Sequence, residues 1–318
     1  MGTPNYKRAE VVAGYLFLAP NCLGFLLFTS VPVVCSFYFA FTHWDLFHPP
    51  KWVGLMNFAS LLGFSRSRDD ATSILGLVRI PYVANDPFFW QYLYNTVYMM
   101  MVIPFTMAGS LALAIALNRK MRGVVVYRTL YFLPSVTSGV AVFILWRYLY
   151  NTDIGLFNAI LVRLGVAHPP DWLGSSAWAK PALMLMSFVM GVGGSSMILY
   201  LAALQGVPKE LYEAADIDGA SGWQQFRFIT WPLVTPTTFF LTIMGIIGGF
   251  QGGFMTAYVM TSGGPAGSTT TLEYYIYNKA FTVFNMGYAS AIAWFVFVVV
   301  FGLTLMAWKY GGRVVHYY

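Results

Sequence analysis

Charged side chains are scarce in this chain. Asp, Glu, Lys and Arg make up only 9% of its 318 residues, whereas hydrophobic residues make up 58%. A soluble domain carries about 25% charged residues, so this chain lacks the polar surface that a water-soluble protein needs. Each crossing of a lipid bilayer takes about 20 apolar residues. The composition therefore predicts an integral membrane protein that contacts the bilayer directly.

The residues that perform chemistry inside membranes are also missing where they would be needed. Cys22 and Cys35 both fall in the first apolar stretch, and their spacing matches no metal-binding pattern. All four histidines lie outside the apolar stretches, and none of those stretches has an Asp or Glu in its interior. Proton and ion relays usually depend on such groups. We therefore predict no catalytic residue and no metal site.

The same absences argue against two other classes of membrane protein. An ion-coupled secondary transporter stays the main alternative, although it would usually carry ionisable side chains within its spans. A membrane-embedded enzyme is disfavoured because the chain has neither a His-Glu-x-x-His zinc motif nor a Gly-x-Ser-x-Gly elbow.

Six long apolar runs predict an all-α membrane protein with about six transmembrane helices. The runs cover about residues 11–41, 93–117, 130–150, 181–204, 233–260 and 287–308. They divide the chain into an N-terminal segment (1–10), a transmembrane region (11–309) and a C-terminal tail (310–318). The longer connections are at 43–91 and 205–232.

The short loop between the second and third runs indicates the orientation. It carries four basic residues and no acidic one: Arg119, Lys120, Arg122 and Arg128. Loops rich in Lys and Arg lie on the cytoplasmic side, and an even number of spans puts both termini on that side too. The formal net charge of +6 is scattered, so we expect no nucleic-acid partner. The loop at 43–91 would face outward.

The cytoplasmic connection 205–232 has the local chemistry of two short helices. Pro208 suits a first helical turn, and Leu211, Ala214 and Ala215 then share one face at i, i+3, i+4 spacing. Gly219 is placed to end the first helix in a left-handed cap. Ser221 with Gln224 matches a capping box for the second helix, and Pro232 marks the join to the fifth membrane helix.

A helix pair with small and apolar residues in an aqueous loop needs something to pack against. One interpretation is a docking element for a soluble partner; the other is a helix pair resting on the lipid surface. Acidic residues outnumber basic ones here, and an acidic helix suits an anionic leaflet poorly, which favours docking. The acidic residues are Glu210, Glu213, Asp216 and Asp218, against Lys209 and Arg227.

The same loop resembles the EAA loop of ABC importer membrane subunits. The order is Glu213-Ala214-Ala215, three residues, Gly219, nine residues, then Ile229-Thr230-Trp231-Pro232. Trp231 stands where the family usually has Leu. We refer to residues 205–232 as the EAA-type loop.

Other segments are similar to the sugar-importer branch of that family, the maltose- and glycerol-phosphate-type permeases. They are Tyr15–Pro20 with Phe28 and Pro32, Val53–Phe58, Asn95-Thr96, Tyr258–Pro265, Leu272–Phe281 and Gly287–Ala291. The chain departs from the branch at Met255, where a polar or acidic residue is common, and at about residues 64–86, which look like an insertion in the outer loop.

The resemblance implies a type I ABC importer permease with the MetI-like fold, its core at about residues 91–309. It implies partners: a second homologous permease subunit, cytoplasmic ATP-binding subunits and an extracytoplasmic solute-binding protein. It also implies a bacterial or archaeal plasma membrane. The residues that would couple to the ATPase are Glu213, Ala214, Ala215, Asp218, Gly219, Ile229 and Pro232.

ATP chemistry is expected to come from another polypeptide. The chain has no Gly-x-x-x-x-Gly-Lys-Ser/Thr phosphate loop, and Gly is never followed by Lys anywhere in it. We therefore expect this chain to bind no cofactor, with ATP used by a partner subunit.

A path for a sugar needs polar groups and stacking aromatic rings among otherwise apolar helices. Small polar residues also hold membrane helices together, so both interpretations stay open for the candidates. The candidates are Ser195, Ser196, Gln251, Tyr258 and Asn278.

Overall fold

The computed structural model describes residues 4–66, 73–74, 78–79, 82–119, 121–137 and 139–311. Contacts between residues divide the chain into two compact units. The first unit contains the described residues up to Asp86 together with residues 276–295. The second contains residues 87–275 and the described residues from Val296 onward.

The first unit begins with a long helical stretch, followed by short strands and one helix. A π-helical segment, Leu26–Ser30, joins the first two helices. The elements are α1 (Pro4–Phe25), α2 (Val31–Ala40), β1 (Thr42–His43), β2 (Lys51–Trp52), α3 (Met56–Leu62), β3 (Phe64–Arg66), β4 (Ser73–Ile74), β5 (Val78–Arg79) and β6 (Tyr82–Ala84). The strands pair antiparallel as β1–β2, β3–β6 and β4–β5.

The second unit is helical. Its elements are α4 (Pro87–Met100), α5 (Val102–Asn118), α6 (Val124–Val136), α7 (Gly139–Leu149), α8 (Leu156–Arg163), α9 (Ala179–Gly191), α10 (Gly194–Gln205), α11 (Lys209–Ile217), α12 (Gly222–Gln225) and α13 (Trp231–Gln251). Next come α14 (Leu272–Tyr277) and α15 (Met286–Gly311), which contribute residues to both units. Three further π-helical segments are Phe226–Thr230, Thr256–Thr261 and Asn278–Thr282.

The core of the second unit lies where α5, α10 and α13 pack together. Ala114 on α5 is fully buried, and so small a side chain allows the backbones of neighbouring helices to approach closely. The buried cluster consists of Leu111, Ala114, Leu117, Met197, Tyr200, Leu201, Leu204, Val234 and Leu241.

Two close contacts organise the first unit. The buried Asn57 Nδ2 donates hydrogen bonds to the carbonyls of Ala40 and Thr42, both at 2.9 Å, and so satisfies the C-terminal end of α2. Near the start of α15, a Cβ on Gly287 would lie 1.9 Å from the Thr42 carbonyl oxygen. Only glycine permits that approach. Asn57 belongs to the segment Val53–Phe58 that resembles the sugar-importer branch, and this contact is its physical role.

Among the described residues, four helical stretches are long and apolar enough to cross a membrane, or six if each of two bent helix pairs is one span. The predicted helices at 11–41, 93–117 and 287–308 are confirmed as the stretches Glu10–Ala40, Pro87–Asn118 and Met286–Gly311. No residue of the apolar window in Glu10–Ala40 is buried within the structure. Its side chains are thus free to face lipid.

The predicted single helices at 130–150 and 181–204 are wrong in detail, because each is a pair bent by more than 40°. In the first pair, Pro134 lies within the last turn of α6 and cannot donate a backbone hydrogen bond. In the second, Gly193 has a φ of +109° and its N–H donates to the buried Ser110 Oγ at 3.4 Å. A glycine conformation at that position ends α9 and restarts the chain as α10.

The fifth predicted helix, 233–260, is corrected at both ends. At its start the helical stretch runs unbroken from Gly222, so Pro232 does not mark a join. The π-helical segment just before α13 widens the backbone and accommodates the proline ring. At its end α13 stops at Gln251. Gly252, which is extended, and Gly253, which has a positive φ, separate it from a short helical segment that follows.

The segment predicted as an insertion, 64–86, lies partly outside the described residues. Its described parts are the short strands β3 to β6 and residues 84–86.

Candidate functional site

The first helix of the EAA-type loop ends in a Schellman motif, as its sequence predicts. The N–H of Ala220 donates to the Ala215 carbonyl at 2.9 Å, and the N–H of Gly219 donates to the Asp216 carbonyl at 3.1 Å. Gly219 has a φ of +73°, the left-handed conformation that this motif requires. Pro208 comes directly before the first helical residue of α11 rather than within its first turn. The cap fixes the direction in which the chain leaves α11.

The second helix begins at the predicted capping box. The Ser221 N–H donates to Gln224 Oε1 at 2.7 Å, and the Gln224 N–H donates to Ser221 Oγ at 3.4 Å. From Gly222 the helix continues without a break into α13. The loop therefore contains one separate helix, α11, and a second helix that is the beginning of a membrane span.

Two side-chain contacts tie α11 to that second helix. Gln225 Nε2 donates to Asp216 Oδ1 at 2.5 Å. The Tyr212 hydroxyl lies 2.8 Å from the buried Thr230 Oγ1. With the Schellman cap, these contacts hold α11 at a defined position relative to the span.

The outer face of the loop is acidic and partly apolar. The candidate coupling residues Glu213, Ala214, Asp218 and Gly219 are exposed. Apolar side chains are exposed beside them, with Ile217 87% and Leu211 44% accessible.

The remaining candidate coupling residues lie deeper. Ala215 is half-buried on α11, whereas Ile229 and Pro232 are half-buried on the helix that leads into the span. The structure thus brings Glu213 through Gly219 together as a surface. It places Ile229 and Pro232 behind that surface, where they support the second helix.

The two candidate serines differ in their surroundings. Ser196 is half-buried and lines a cavity of about 350 Å³ between α5, α9, α10 and α13. Ser195 is exposed one position earlier on α10. Of the two, Ser196 is the one that faces space in which a solute fits.

Sequence reasoning missed a group of hydroxyl side chains near Ser196. Ser187 on α9 lines three cavities, of about 170, 350 and 370 Å³. The hydroxyls that share these cavities with it are Thr96, Thr106, Thr137, Ser196, Thr256 and Thr271. In the sequence Thr271 ends a run of four hydroxyl residues, Ser196 follows Ser195, and the others show no regular spacing, so no pattern singles the group out.

Where it borders the 170 Å³ cavity, the end of α13 and the two residues after it contribute no side chains. Gly248, Gly249, Gly252 and Gly253 line the 170 Å³ cavity beside Thr256. No charged side chain is among the described residues that line these three cavities. The arrangement offers hydrogen-bonding groups and room, with no fixed charge.

Three candidate path residues lie elsewhere. Gln251 is the exposed last residue of α13. Tyr258 is half exposed in the segment Thr256–Thr261, and its ring stacks on Phe254 with centroids 5.4 Å apart. Asn278 belongs to the first unit, where its Oδ1 accepts a hydrogen bond from Thr282 at 3.4 Å.

A larger cavity, of about 610 Å³, is lined mostly by apolar side chains, chiefly those of α5, with Thr238 and Thr242 of α13 among the rest. Phe226 and Trp231 line it as well. Such a lining suits hydrocarbon better than a hydroxylated solute. Among the described residues, no group of three or more His, Cys, Asp or Glu side chains is placed to hold a metal ion.

Residues 87–310 match the model of a family described as "Binding-protein-dependent transport system inner membrane component". The probable ABC transporter permease protein YesP of Bacillus subtilis (strain 168) is 37% identical over 314 residues, which cover 98% of this chain and 94% of that protein. The lactose transport system permease protein LacF of Rhizobium radiobacter is 34% identical over 306 residues, 94% of each chain.

A solved structure has the same fold. It is a bacterial alginate ABC transporter in complex with alginate pentasaccharide-bound periplasmic protein, and one of its chains superposes with a TM-score of 0.79. Sequence identity is 22%, and the match covers 98% of this chain and 96% of that one. This chain therefore belongs to the family of binding-protein-dependent transport system inner membrane components: it is an all-α, multi-pass permease subunit of an ABC importer.

Proposed function

We propose that this permease imports a sugar or sugar-like solute and forms half of the translocation pathway. We further propose that it is driven by a separate ATPase that docks on the EAA-type loop. The observation that carries the coupling role is the exposed surface of α11 from Glu213 to Gly219, anchored to a span.

The anchoring is what makes mechanical coupling possible. The helix that follows α11 continues without interruption from Gly222 to Gln251. The contacts from Asp216 and Tyr212 join α11 to that helix. Because these contacts bridge the short turn between α11 and the fifth span, a displacement of α11 by a partner would be transmitted to the span.

Two observations support a sugar as the solute. The cavities around Ser187 are lined by hydroxyls and glycines among apolar side chains, a combination that suits a solute with many hydroxyl groups. Two of the similar proteins reported above are named for a carbohydrate, lactose in one case and alginate in the other.

The proposed assembly contains a second homologous permease subunit, cytoplasmic ATP-binding subunits and an extracytoplasmic solute-binding protein. The periplasmic protein in the alginate transporter structure supports the last of these. ATP would be hydrolysed by the partner, since the chain has no phosphate-loop motif. The basic loop that contains Arg119 and Arg122 supports a bacterial or archaeal plasma membrane location with both termini in the cytoplasm.

Charge reversal on α11 tests the coupling role. Glu213→Lys should lower ATP-driven uptake at least tenfold in the assembled transporter, because a partner's basic residue would face a like charge. Glu210→Lys makes the same change of charge one turn earlier on the exposed face, outside the Glu-Ala-Ala motif, and should retain most uptake. Both variants should insert into membranes at the parent level.

Uptake of radiolabelled sugar and co-purification of the ATPase are the measurements. If Glu213→Lys takes up sugar and co-purifies with the ATPase as the parent does, the coupling role is refuted. Equal losses in both variants would show that general charge, rather than this motif, attracts the partner.

A further inference from the structure

The end of α13 farthest from the EAA-type loop is built as an interruption. Helix α13 has 21 residues, which span about 31 Å at 1.5 Å per residue. This length matches the roughly 30 Å of a bilayer's hydrocarbon core. With Trp231 at one interface, Gly252 and Gly253 lie at the other.

The chain at this interruption is held by the turn at residues 262–271 and by the first turn of α14, which follows it. The N–H of Phe254 donates to Glu273 Oε2 at 2.8 Å. Gly253 has a φ of +121°, and a Cβ there would lie 2.8 Å from the methyl group of Thr271. Gly252, Gly253 and Thr271 all line the 170 Å³ cavity. The interruption and the turn therefore form one wall of the space that we assign to the solute.

Hydrogen bonds from α4 hold this turn in place. Asn95 is fully buried, and its Nδ2 donates to the carbonyls of Gly267 and Thr270 at 2.9 and 3.0 Å. Next to it, Thr96 Oγ1 accepts the N–H of Leu272 at 3.0 Å. These contacts join residues more than 170 positions apart. They give a physical role to the Asn95-Thr96 pair that resembles the sugar-importer branch.

The turn also has a backbone that needs outside support. Ser262 and Ala266 have φ values of +50° and +49°, a conformation that disfavours residues with a Cβ. Such conformations persist where surrounding contacts determine them. Asn95 supplies one such contact next to Ala266, at the Gly267 carbonyl, and a second at the Thr270 carbonyl. Release of Asn95 would let the turn relax and carry Glu273 away from Phe254.

We propose that Asn95 and Glu273 are positioning residues that keep the end of the solute path farthest from the ATPase closed. Asn95 fixes the turn to α4. Glu273, the second residue of α14, accepts the N–H of Phe254 and so holds the segment after Gly253 beside that turn. Passage of a solute through this end requires the Glu273–Phe254 hydrogen bond to open. The inference rests on the proposed function, because it takes the cavity as part of the solute path.

Accessibility of a cavity residue tests the proposal without any need for transport. Thr256 lines the 170 Å³ cavity and is half-buried. In a background with Cys22→Ser and Cys35→Ser, Thr256→Cys would be labelled by a membrane-impermeant thiol reagent added to the side opposite the ATPase. The full transporter in proteoliposomes is the sample. Met255→Cys, at an exposed neighbouring position, reports the reagent's own access.

Glu273→Ala removes the hydrogen-bond acceptor and should raise the labelling rate of Thr256→Cys at least tenfold. Glu273→Gln keeps a carbonyl oxygen to accept the Phe254 N–H and should label at the parent rate. The rate at Met255→Cys should be the same in all backgrounds. A general loosening of the chain would raise the labelling rate at Met255→Cys as well as at Thr256→Cys.

Asn95→Ala should raise the labelling rate at Thr256→Cys as Glu273→Ala does. Gln91→Ala is its matched control, since Gln91 Nε2 reaches the same turn at the Ala266 carbonyl from an exposed position at 3.3 Å. Asn95 is buried, so its replacement can prevent folding. If Asn95→Ala cannot be purified as a folded protein, the labelling rate in Glu273→Ala tests the proposal.

Equal labelling of Thr256→Cys in the parent and in Glu273→Ala overturns the proposal. So does Glu273→Gln that labels as fast as Glu273→Ala, because the acceptor would then not be what holds the path closed. Since labelling needs no solute, a failure of sugar uptake with the expected labelling pattern would refute the proposed solute and leave the positioning role standing.

Discussion

Gly219 offers a test in which backbone conformation alone is changed. It has a φ of +73°, and an added Cβ would meet nothing within 4 Å. Gly219→Ala therefore introduces no clash; it only places a Cβ in the left-handed region, at a cost of about 1–2 kcal/mol. That cost lowers the population of the capped conformation relative to its alternatives by a factor of about 5–30.

The expected effect on transport follows from that factor. If coupling needs α11 in its capped position, ATP-driven uptake in Gly219→Ala should fall by up to about 30-fold. Gly219→Asn should lose less, because Asn tolerates the left-handed region better than Ala.

Gly222→Ala is the matched control three residues away. An added Cβ there also meets nothing within 4 Å, and no positive φ is involved. Gly222 starts α12, where Ala is the better helix former. Uptake in this variant should stay at or above the parent level.

The assay is uptake into proteoliposomes that contain the whole transporter, with the amount of inserted permease measured in parallel. Uptake that is fastest in the parent, slower in Gly219→Asn and slowest in Gly219→Ala supports the role of the cap. If Gly219→Ala transports as fast as Gly222→Ala, the left-handed cap does not contribute to coupling and the reasoning is refuted.

Two further predictions concern stability, both measured as the thermal unfolding midpoint in detergent. Gly287→Ala should destabilise by about 1–3 kcal/mol, as overpacking does, because its Cβ would meet the Thr42 carbonyl at 1.9 Å; Gly302→Ala on the same helix has open space and should be neutral or stabilising. A midpoint for Gly287→Ala that equals that of Gly302→Ala would contradict the close approach. Burial raises the pKa of Glu273 above its ordinary value of 4.5, against the opposing hydrogen bond from Phe254. The stability that Glu273 contributes is therefore complete below about pH 4.5 and declines as pH rises through the raised pKa. Glu273→Gln cannot ionise and should not show this decline. If the decline persists in Glu273→Gln, Glu273 is not its origin.

The EAA-type loop was largely predictable because its signals are local. A glycine at C′ and the Ser221–Gln224 box specify helix ends through hydrogen bonds between residues a few positions apart. The structure confirms both the cap and the box. What the loop's sequence did not reveal is that its second helix continues into α13, since proline usually marks a helix start and the π-helical segment that accommodates Pro232 leaves no pattern.

The solute-facing cavities were largely not predictable. Ser196 was among the candidates and lines a cavity, but Ser187, Thr96 and Thr271 were not. An isolated hydroxyl in an apolar helix has the same appearance in sequence whether it faces a neighbouring helix or open space. Only the packing of α4, α9 and α13 distinguishes the two.

The sequence by itself determined that the chain crosses a membrane several times, which side chains end the loop helices, and which family the loop resembles. These properties depend on composition and on contacts within a few residues. Tertiary structure decided where one span bends, at Gly193, where another ends, at Gly252–Gly253, and which hydroxyls share a cavity. It also decided that Asn95 on α4 holds a turn more than 170 residues away. Those features arise from contacts between distant segments, and no local pattern encodes which segments meet.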